Sequence, residues 1–275
     1  MVNSNSERPA GGSSASPIPL GGEPPPRFII KSEDASEGIV RLRGAEGHHA
    51  RNVLRLGRGD RFVAVDGRGA EYEAVVEIRA ADGLLGKVLR TTRRSREPLA
   101  RVTLAQAVLK PPSLADVVSQ ATALGVSEFV LFECARSARR EVTAREISHL
   151  ESVAAAAVKQ SLRAVLPKFT GPKTFGDVLA YGHGFDVAFL CKPDAAAEPL
   201  ADAIGGKKAA PGKILVAVGP EGGLDAEEEE RAADAGFRTL DLGPRRLRAE
   251  LAGAIACALI FYAAGDLGPA GRGGG

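Results

Sequence analysis

Apolar and polar positions alternate over short spans in the first third of the chain, at Ile39-Val-Arg-Leu42, Arg61-Phe-Val-Ala-Val65, Tyr72-Glu-Ala-Val-Val-Glu-Ile78 and Leu84 to Leu89. A period near two puts successive side chains on opposite faces, so each span predicts a strand. The tetrapeptide Asp66-Gly-Arg-Gly69 predicts a tight turn between two of them. A small antiparallel barrel is the expected architecture. After about Arg96 the rhythm changes. Apolar runs at Val102 to Val108, Phe129 to Phe132, Val187 to Leu190, Ile214 to Val218 and Thr239 to Leu242 are separated by segments of helical period, which predicts an α/β domain on a parallel sheet. Helix starts are expected at Ser113, Thr143 and Asp225, each followed three residues later by an acid that completes a capping box. Gly125 and Gly236 suit the stops. Ile147, Leu150, Val153, Ala157 and Leu162 form a stripe expected to pack on the sheet.

Composition adds boundaries to this picture. Residues 1–26 are dominated by Ser, Pro and Gly without any period, and they are expected to be a disordered tail, as are residues 268–275. The basic stretch from Thr91 to Pro98 has linker composition. It sets an amino-terminal domain at 27–96 and an α/β domain at 97–267. The apolar stretch Leu251 to Ala264 is too short for a bilayer span and the first residues lack a secretory pattern, so no membrane partner and a cytoplasmic location are expected. Cys134, Cys191 and Cys257 stand far apart, which suggests buried reduced thiols rather than a disulfide frame, and no metal site is expected. His48 and His49 have no third ligand nearby. The net charge of +2 is small, yet residues 27–101 hold 16 Lys and Arg against 11 Asp and Glu, so basic character is concentrated at the front.

Two segments carry candidate chemistry. In Val216-Ala-Val-Gly-Pro-Glu-Gly-Gly-Leu-Asp225 a buried-type strand runs into a glycine-rich turn and then a capped helix, which is where α/β sheets bind ligands. Gly219, Gly222 and Gly223 are expected to let the backbone approach a ligand and to take positive φ. The pattern is neither a dinucleotide fingerprint nor a phosphate-binding P-loop, and alone it is weak. The second segment, Thr239-Leu-Asp-Leu-Gly-Pro-Arg-Arg-Leu-Arg-Ala-Glu-Leu-Ala-Gly-Ala-Ile255, is a strand, a Gly-Pro turn and a helix opened by arginine.

Together with Ala121-Thr-Ala-Leu-Gly-Val126 and Lys159-Gln-Ser-Leu-Arg163, this pair resembles the RsmE-type uridine N3-methyltransferases of 16S ribosomal RNA, in the SPOUT superfamily. Pro26-Arg-Phe28, His48-His49, Asn52-Val-Leu-Arg-Leu56, Gly59-Asp60 and Asp66-Gly67 match in kind and order the PUA-like RNA-binding domain of that family. The resemblance covers about residues 26–263. It implies an α/β domain with a SPOUT-type parallel sheet and a deep trefoil knot in its carboxy-terminal part, preceded by a small PUA-like β-barrel. It also implies a homodimer with its sites at the subunit interface, and 16S rRNA or the small ribosomal subunit as partner. S-adenosyl-L-methionine is the implied cofactor, held by Leu190, by Gly219, Pro220, Glu221, Gly222 and Gly223, and by Leu242, Gly243, Leu247 and Leu251.

Methyl transfer to uridine N3 needs the N3 proton removed and charge on O2 and O4 stabilised. Arg248 is the candidate cation and Glu250 the candidate base; the plainer reading of the two is a helix-terminal ion pair. Arg27, Arg51, Arg55, Arg58, Lys110 and Arg163 are the candidate RNA contacts. The chain departs from the family pattern at Gln120, Ala123, Ala156, Ala249 and Leu251, where Lys, Glu, Glu and two threonines are usual. A catalytically weakened RNA-binding relative is therefore the alternative, and an unrelated small-molecule enzyme the third reading.

Overall fold

The computed structural model describes residues 24–194, 197–204 and 212–268. Most of the two expected disordered tails lies outside the described residues.

The amino-terminal part builds a six-stranded sheet from β1 (Arg27–Ile29), β2 (Ala35–Ser36), β3 (Ile39–Arg43), β4 (Arg61–Val65), β5 (Ala70–Ala80) and β6 (Gly83–Arg93). Its order is β1-β4-β5-β6-β3-β2. The pairings are antiparallel except at β1, which runs parallel to β4, so the sheet is mixed rather than wholly antiparallel. The alternation read from sequence turns Phe28, Leu42, Phe62 and Leu84 into one fully buried cluster. A short helix, α1 (Gly44–His48), and a π-helical turn over His49–Val53 follow β3. The His49 ring meets Phe28 edge-on.

The second part is an all-parallel six-stranded sheet of β7 (Arg101–Ala107), β8 (Glu128–Glu133), β9 (Lys168–Thr174), β10 (Val187–Cys191), β11 (Lys213–Val218) and β12 (Arg238–Leu240), in the order β12-β10-β11-β7-β8-β9. Around it lie α2 (Pro111–Leu124), α3 (Ala144–Gln160), α4 (Phe175–Gly182), α5 (Leu200–Ala203), α6 (Ala226–Asp234) and α7 (Ala249–Ala263). Separate apolar clusters form on the two faces, one centred on Leu104, Val216 and Phe261, the other on Phe132, Phe175 and Leu215. Among the described residues, no helix is long and apolar enough to cross a membrane.

Several expectations need correction in detail. Helix α2 begins at Pro111 with Lys110 as N-cap, not at Ser113, because prolines at the first helical positions bring their own φ and lack the amide that a cap would satisfy. Thr143 and Asp225 do form capping boxes, and Thr174 with Asp177 makes a third. Strand β9 carries Gly171-Pro172 inside it, tolerated because it is an edge strand. Leu162 lies past the end of α3 at φ +63°, so it is not part of that helix's stripe.

The two sheets are joined by a polar network at the junction. The Asp66–Gly69 turn docks on the segment after α3: Leu166 N–H donates to Gly67 O (2.9 Å) and Gly69 N–H to Ala164 O (3.1 Å). A Cβ on Gly67, which sits at φ +68°, would come within 2.8 Å of Leu166 Cδ1. Arg163 pairs with Glu97 at 2.7 Å, with side chains 3% and 2% exposed, and its other nitrogen donates to Thr122 O (2.7 Å) and Val126 O (3.0 Å) at the end of α2. The second oxygen of Glu97 accepts Ala164 N–H (2.9 Å) and Val165 N–H (3.1 Å). Arg27 pairs with Glu71 at 2.8 Å and donates to Arg163 O at 3.0 Å.

These contacts overturn the assignment of Arg27 and Arg163 to RNA. Both guanidiniums are buried and each is paired with a carboxylate inside the protein, so neither presents its charge to a phosphate. Removing one member of a buried, hydrogen-bonded pair leaves the other charge without a partner, which costs about 3–5 kcal/mol. Arg163→Ala should therefore lower the stability from urea denaturation by about that amount, and an unchanged midpoint would show the pair to be dispensable.

Candidate active site

Parallel sheets leave their strand ends and following loops open at the carboxyl edge, and the loops after β10, β11 and β12 converge there. With the start of α7 they enclose a cleft of about 670 Å³, within the range that small-molecule sites occupy. The glycine-rich loop begins where β11 ends at Val218 and closes at the capping box of α6, Asp225 with Glu228. Glu228 is buried and also accepts Ala135 N–H at 2.7 Å, which ties this loop to the one after β8. Arg136 reaches across to the carbonyls of Gly222 (3.3 Å) and Leu224 (3.1 Å). Of the loop's three glycines only Gly223 has positive φ, +70°, so the need for glycine on conformational grounds rests there and not at Gly219 or Gly222.

The loop after β12 turns at Gly243, φ +89°, whose N–H donates to Asp241 Oδ1 (3.1 Å) in an Asx turn. Leu242 and Leu247 supply apolar wall, and Arg245, Arg246 and Arg248 ring the mouth. Arg248 is the N-cap of α7, and its side chain is 87% exposed. Its Nη1 lies 3.8 Å from Glu250 Oε1, a loose pair that leaves the guanidinium free to engage another group. Across the cleft Lys192 pairs with Glu229 at 3.0 Å.

The structure thus gathers Gly219, Pro220, Glu221, Gly222, Gly223, Leu242, Gly243, Leu247, Arg248 and Glu250 around one space. Two of the residues assigned to it are not there. Leu190 is buried in the apolar cluster beneath the sheet, and Leu251 points to solvent, 44% exposed, because the helical rotation that turns Ala249 and Glu250 inward turns it away. Sequence reasoning missed Lys192, Asp241 and Ser113, which also line the cleft. The Asp-x-Gly spacing at Asp241 is the signal that could have found one of them.

Among the candidate RNA contacts, Arg55 and Arg58 are exposed. Arg51 instead donates to the carbonyls of Ala80 and Ala81 at the β5–β6 turn. Lys110 is exposed at the start of α2. Gln120, Ala123 and Ala156 are all exposed on α2 and α3 and none lines the cleft, so those departures leave its composition untouched.

The cleft's donor set is one of peptide amides and carbonyls, leucine walls and charged groups of both signs at the mouth. That set fits a nucleoside bearing a zwitterionic amino-acid tail, such as S-adenosyl-L-methionine. A thiolate plays no part: burial, helped by the nearby Asp241 charge, pushes the Cys191 thiol up to about 12. Burial likewise raises Cys134 and Cys257. Raised thiols stay protonated at pH 8 and react slowly. Iodoacetamide at pH 8, followed by mass spectrometry, should label the native protein slowly and the urea-unfolded protein at all three cysteines; rapid native labelling of Cys191 would contradict this environment.

Comparison with known proteins places these features. A family model described as an RNA methyltransferase domain matches residues 95–261, and one described as an RNA methyltransferase PUA domain matches residues 42–90. The chain is 32% identical to ribosomal RNA small subunit methyltransferase E of Mycobacterium bovis, over 85% of this chain and 90% of that protein. A crystal structure of a probable rRNA-methyltransferase from Porphyromonas gingivalis is 30% identical, with a TM-score of 0.74, covering 86% of this chain and 98% of that one. A crystal structure of ribosomal RNA small subunit methyltransferase E from Neisseria gonorrhoeae bound to S-adenosyl methionine shares the fold, with a TM-score of 0.75 at 23% identity over 86% of this chain and 97% of that one.

Proposed function

The chain belongs to the RNA methyltransferase family, and on that premise we propose that it transfers a methyl group from S-adenosyl-L-methionine to N3 of a uridine in small-subunit ribosomal RNA. The observation that carries the reading is the convergence of the glycine loop, the Asp241–Leu247 loop and Arg248 on one cleft at the carboxyl edge of a parallel sheet. The reading includes the superfamily's deep trefoil knot, which the gathering of the loops after β10, β11 and β12 supports. It also includes action in the cytoplasm.

The cofactor's sulfonium activates the methyl group, so the protein's task is to position the uridine and to manage its proton. The loop peptides around Gly219–Gly223 and Leu242–Gly243 would hold the nucleoside, and Leu242 and Leu247 would supply its apolar wall. Arg248, exposed at the cleft mouth, offers a planar fork of donors to a uracil oxygen that gains negative charge as N3 loses its proton. Glu250, two residues further on and with its side chain only 22% exposed, is the group placed to accept that proton.

A homodimer completes the reading. Leu251, Ile255, Leu259 and Tyr262 recur at helical spacing along the outer face of α7, and three of them are 44%, 38% and 67% exposed. An apolar stripe of this kind calls for a partner surface, and it starts one residue from Glu250. A second copy seated on it would stand beside the cleft mouth.

Two measurements test the proposal. Calorimetric titration should show S-adenosyl-L-methionine binding to the wild-type protein and its loss on Gly223→Val, where a β-branched residue meets a positive φ; no heat at millimolar cofactor would refute the cleft's assignment. Arg248→Ala should slow single-turnover methylation of small-subunit particles about a hundredfold, the scale for one preorganised donor, with cofactor affinity nearly unchanged. Wild-type protein that binds cofactor and RNA but transfers nothing would favour the catalytically weakened relative, in which Ala249 and Leu251 stand where hydroxyls are usual.

A further inference from the structure

The parallel sheet has a second open end. At the amino-terminal edge, where β7, β8, β9 and β11 start, the junction with the other sheet encloses a cleft of about 800 Å³. Its walls carry Arg68 and Arg94 from the amino-terminal sheet and Arg101, Lys168 and Lys213 from the first residues of three strands. All five side chains are exposed, and among the described residues none has a carboxylate within 4 Å. Of the two acids that line the same space, Glu97 is balanced by Arg163 and bonded to two backbone amides, while Glu128 keeps its charge and accepts from the hydroxyls of Tyr181 (3.0 Å) and Thr170 (3.2 Å), so the five exposed cations outweigh a single carboxylate.

Five like charges facing one concave space repel each other and focus a positive potential there. Such an arrangement suits a polyanion. The cleft also presents an aromatic surface. Tyr181 is 43% exposed, and its ring is fixed by the bond to Glu128 at one end and by an edge-on contact with Phe185 (5.2 Å, 72°) at the other. A held, open aromatic face beside a row of cations is the combination that binds single-stranded nucleic acid, the bases stacking while the phosphates pair with Lys and Arg.

We propose that this cleft takes a single-stranded segment of the RNA substrate, with phosphates on Arg68, Arg94, Arg101, Lys168 and Lys213 and a base stacked on Tyr181. The proposal rests on the reading of the chain as an enzyme acting on RNA, and adds to it a contact at the opposite edge of the sheet from the methyl-transfer cleft. Strands of six or seven residues separate the two by roughly 20 Å at about 3.3 Å per residue. The RNA is then held at both ends of the sheet and its target base is delivered to only one.

The test is fluorescence anisotropy with a labelled single-stranded oligoribonucleotide, measured across a series of salt concentrations, on the full-length wild-type protein, on the triple variant Arg101→Ala, Lys168→Ala, Lys213→Ala, and on Tyr181→Ala. The triple variant should bind at least about tenfold more weakly, and its salt slope should fall by about two, since each phosphate contact on a single strand contributes about 0.7. Tyr181→Ala should weaken binding by about tenfold with the slope unchanged, because stacking releases no counterions. Cofactor titration serves as the folding control, since none of these side chains touches the other cleft. Variants with wild-type affinity and slope overturn this assignment and leave the proposed function standing. A wild-type protein that binds no RNA overturns both. Displacement of the RNA by an oligoglutamate peptide at equal charge, with no preference for RNA, overturns the nucleic-acid identity of the occupant.

Discussion

The buried pair of Arg163 and Glu97 is the constraint on which the arrangement of both sheets depends. Arg163 gathers the last carbonyls of α2, where the helix dipole favours a cation, and Glu97 gathers the amides that follow α3. The backbone carbonyl of Arg163 then receives Arg27 from the first strand of the other sheet. Desolvating an ion pair is costly, and the cost is offset here only because nearly every lone pair and proton finds a partner. The connection between the two sheets is therefore a hydrogen-bonded, directional joint rather than a loose linker, even though the Thr91–Pro98 composition reads as one.

How much of this was legible in the sequence follows from which physical signals are local. The alternation at Ile39–Leu42 and Arg61–Val65, the runs at Ile214–Val218 and the boxes at Thr143 and Asp225 reflect forces acting within a few residues, and the structure shows elements there. The roles of Arg27 and Arg163 were not legible, because their partners lie 44 and 66 residues away. A basic residue next to a recognisable motif looks the same in sequence whether it faces solvent or a buried carboxylate. Leu251 shows the same limit at shorter range: it follows Glu250 directly in the sequence, but helical rotation turns it away from the space its neighbours enclose.

Charge is distributed by end and not by domain. Both openings of the parallel sheet carry exposed arginines, yet at the carboxyl edge they stand among Glu221, Glu229, Asp241 and Glu250, whereas at the amino edge Glu97 is balanced by Arg163 and Glu128 is the one other lining acid. A mixed field suits a zwitterionic small molecule and a predominantly positive one suits a phosphate backbone. The small net charge of +2 conceals this division.

The Asp66–Gly69 turn has a consequence for how the protein can vary. Turns between strands are ordinarily where lineages gain and lose residues, since their backbones face water. This one is clasped on both sides, its own Asp66 holding the amides of Arg68 and Ala70 while Gly67 and Gly69 bond to the segment after α3. One extra residue would break the register of both sets of bonds and lift one sheet from the other. Length at this turn should thus be as tightly held as identity in a core.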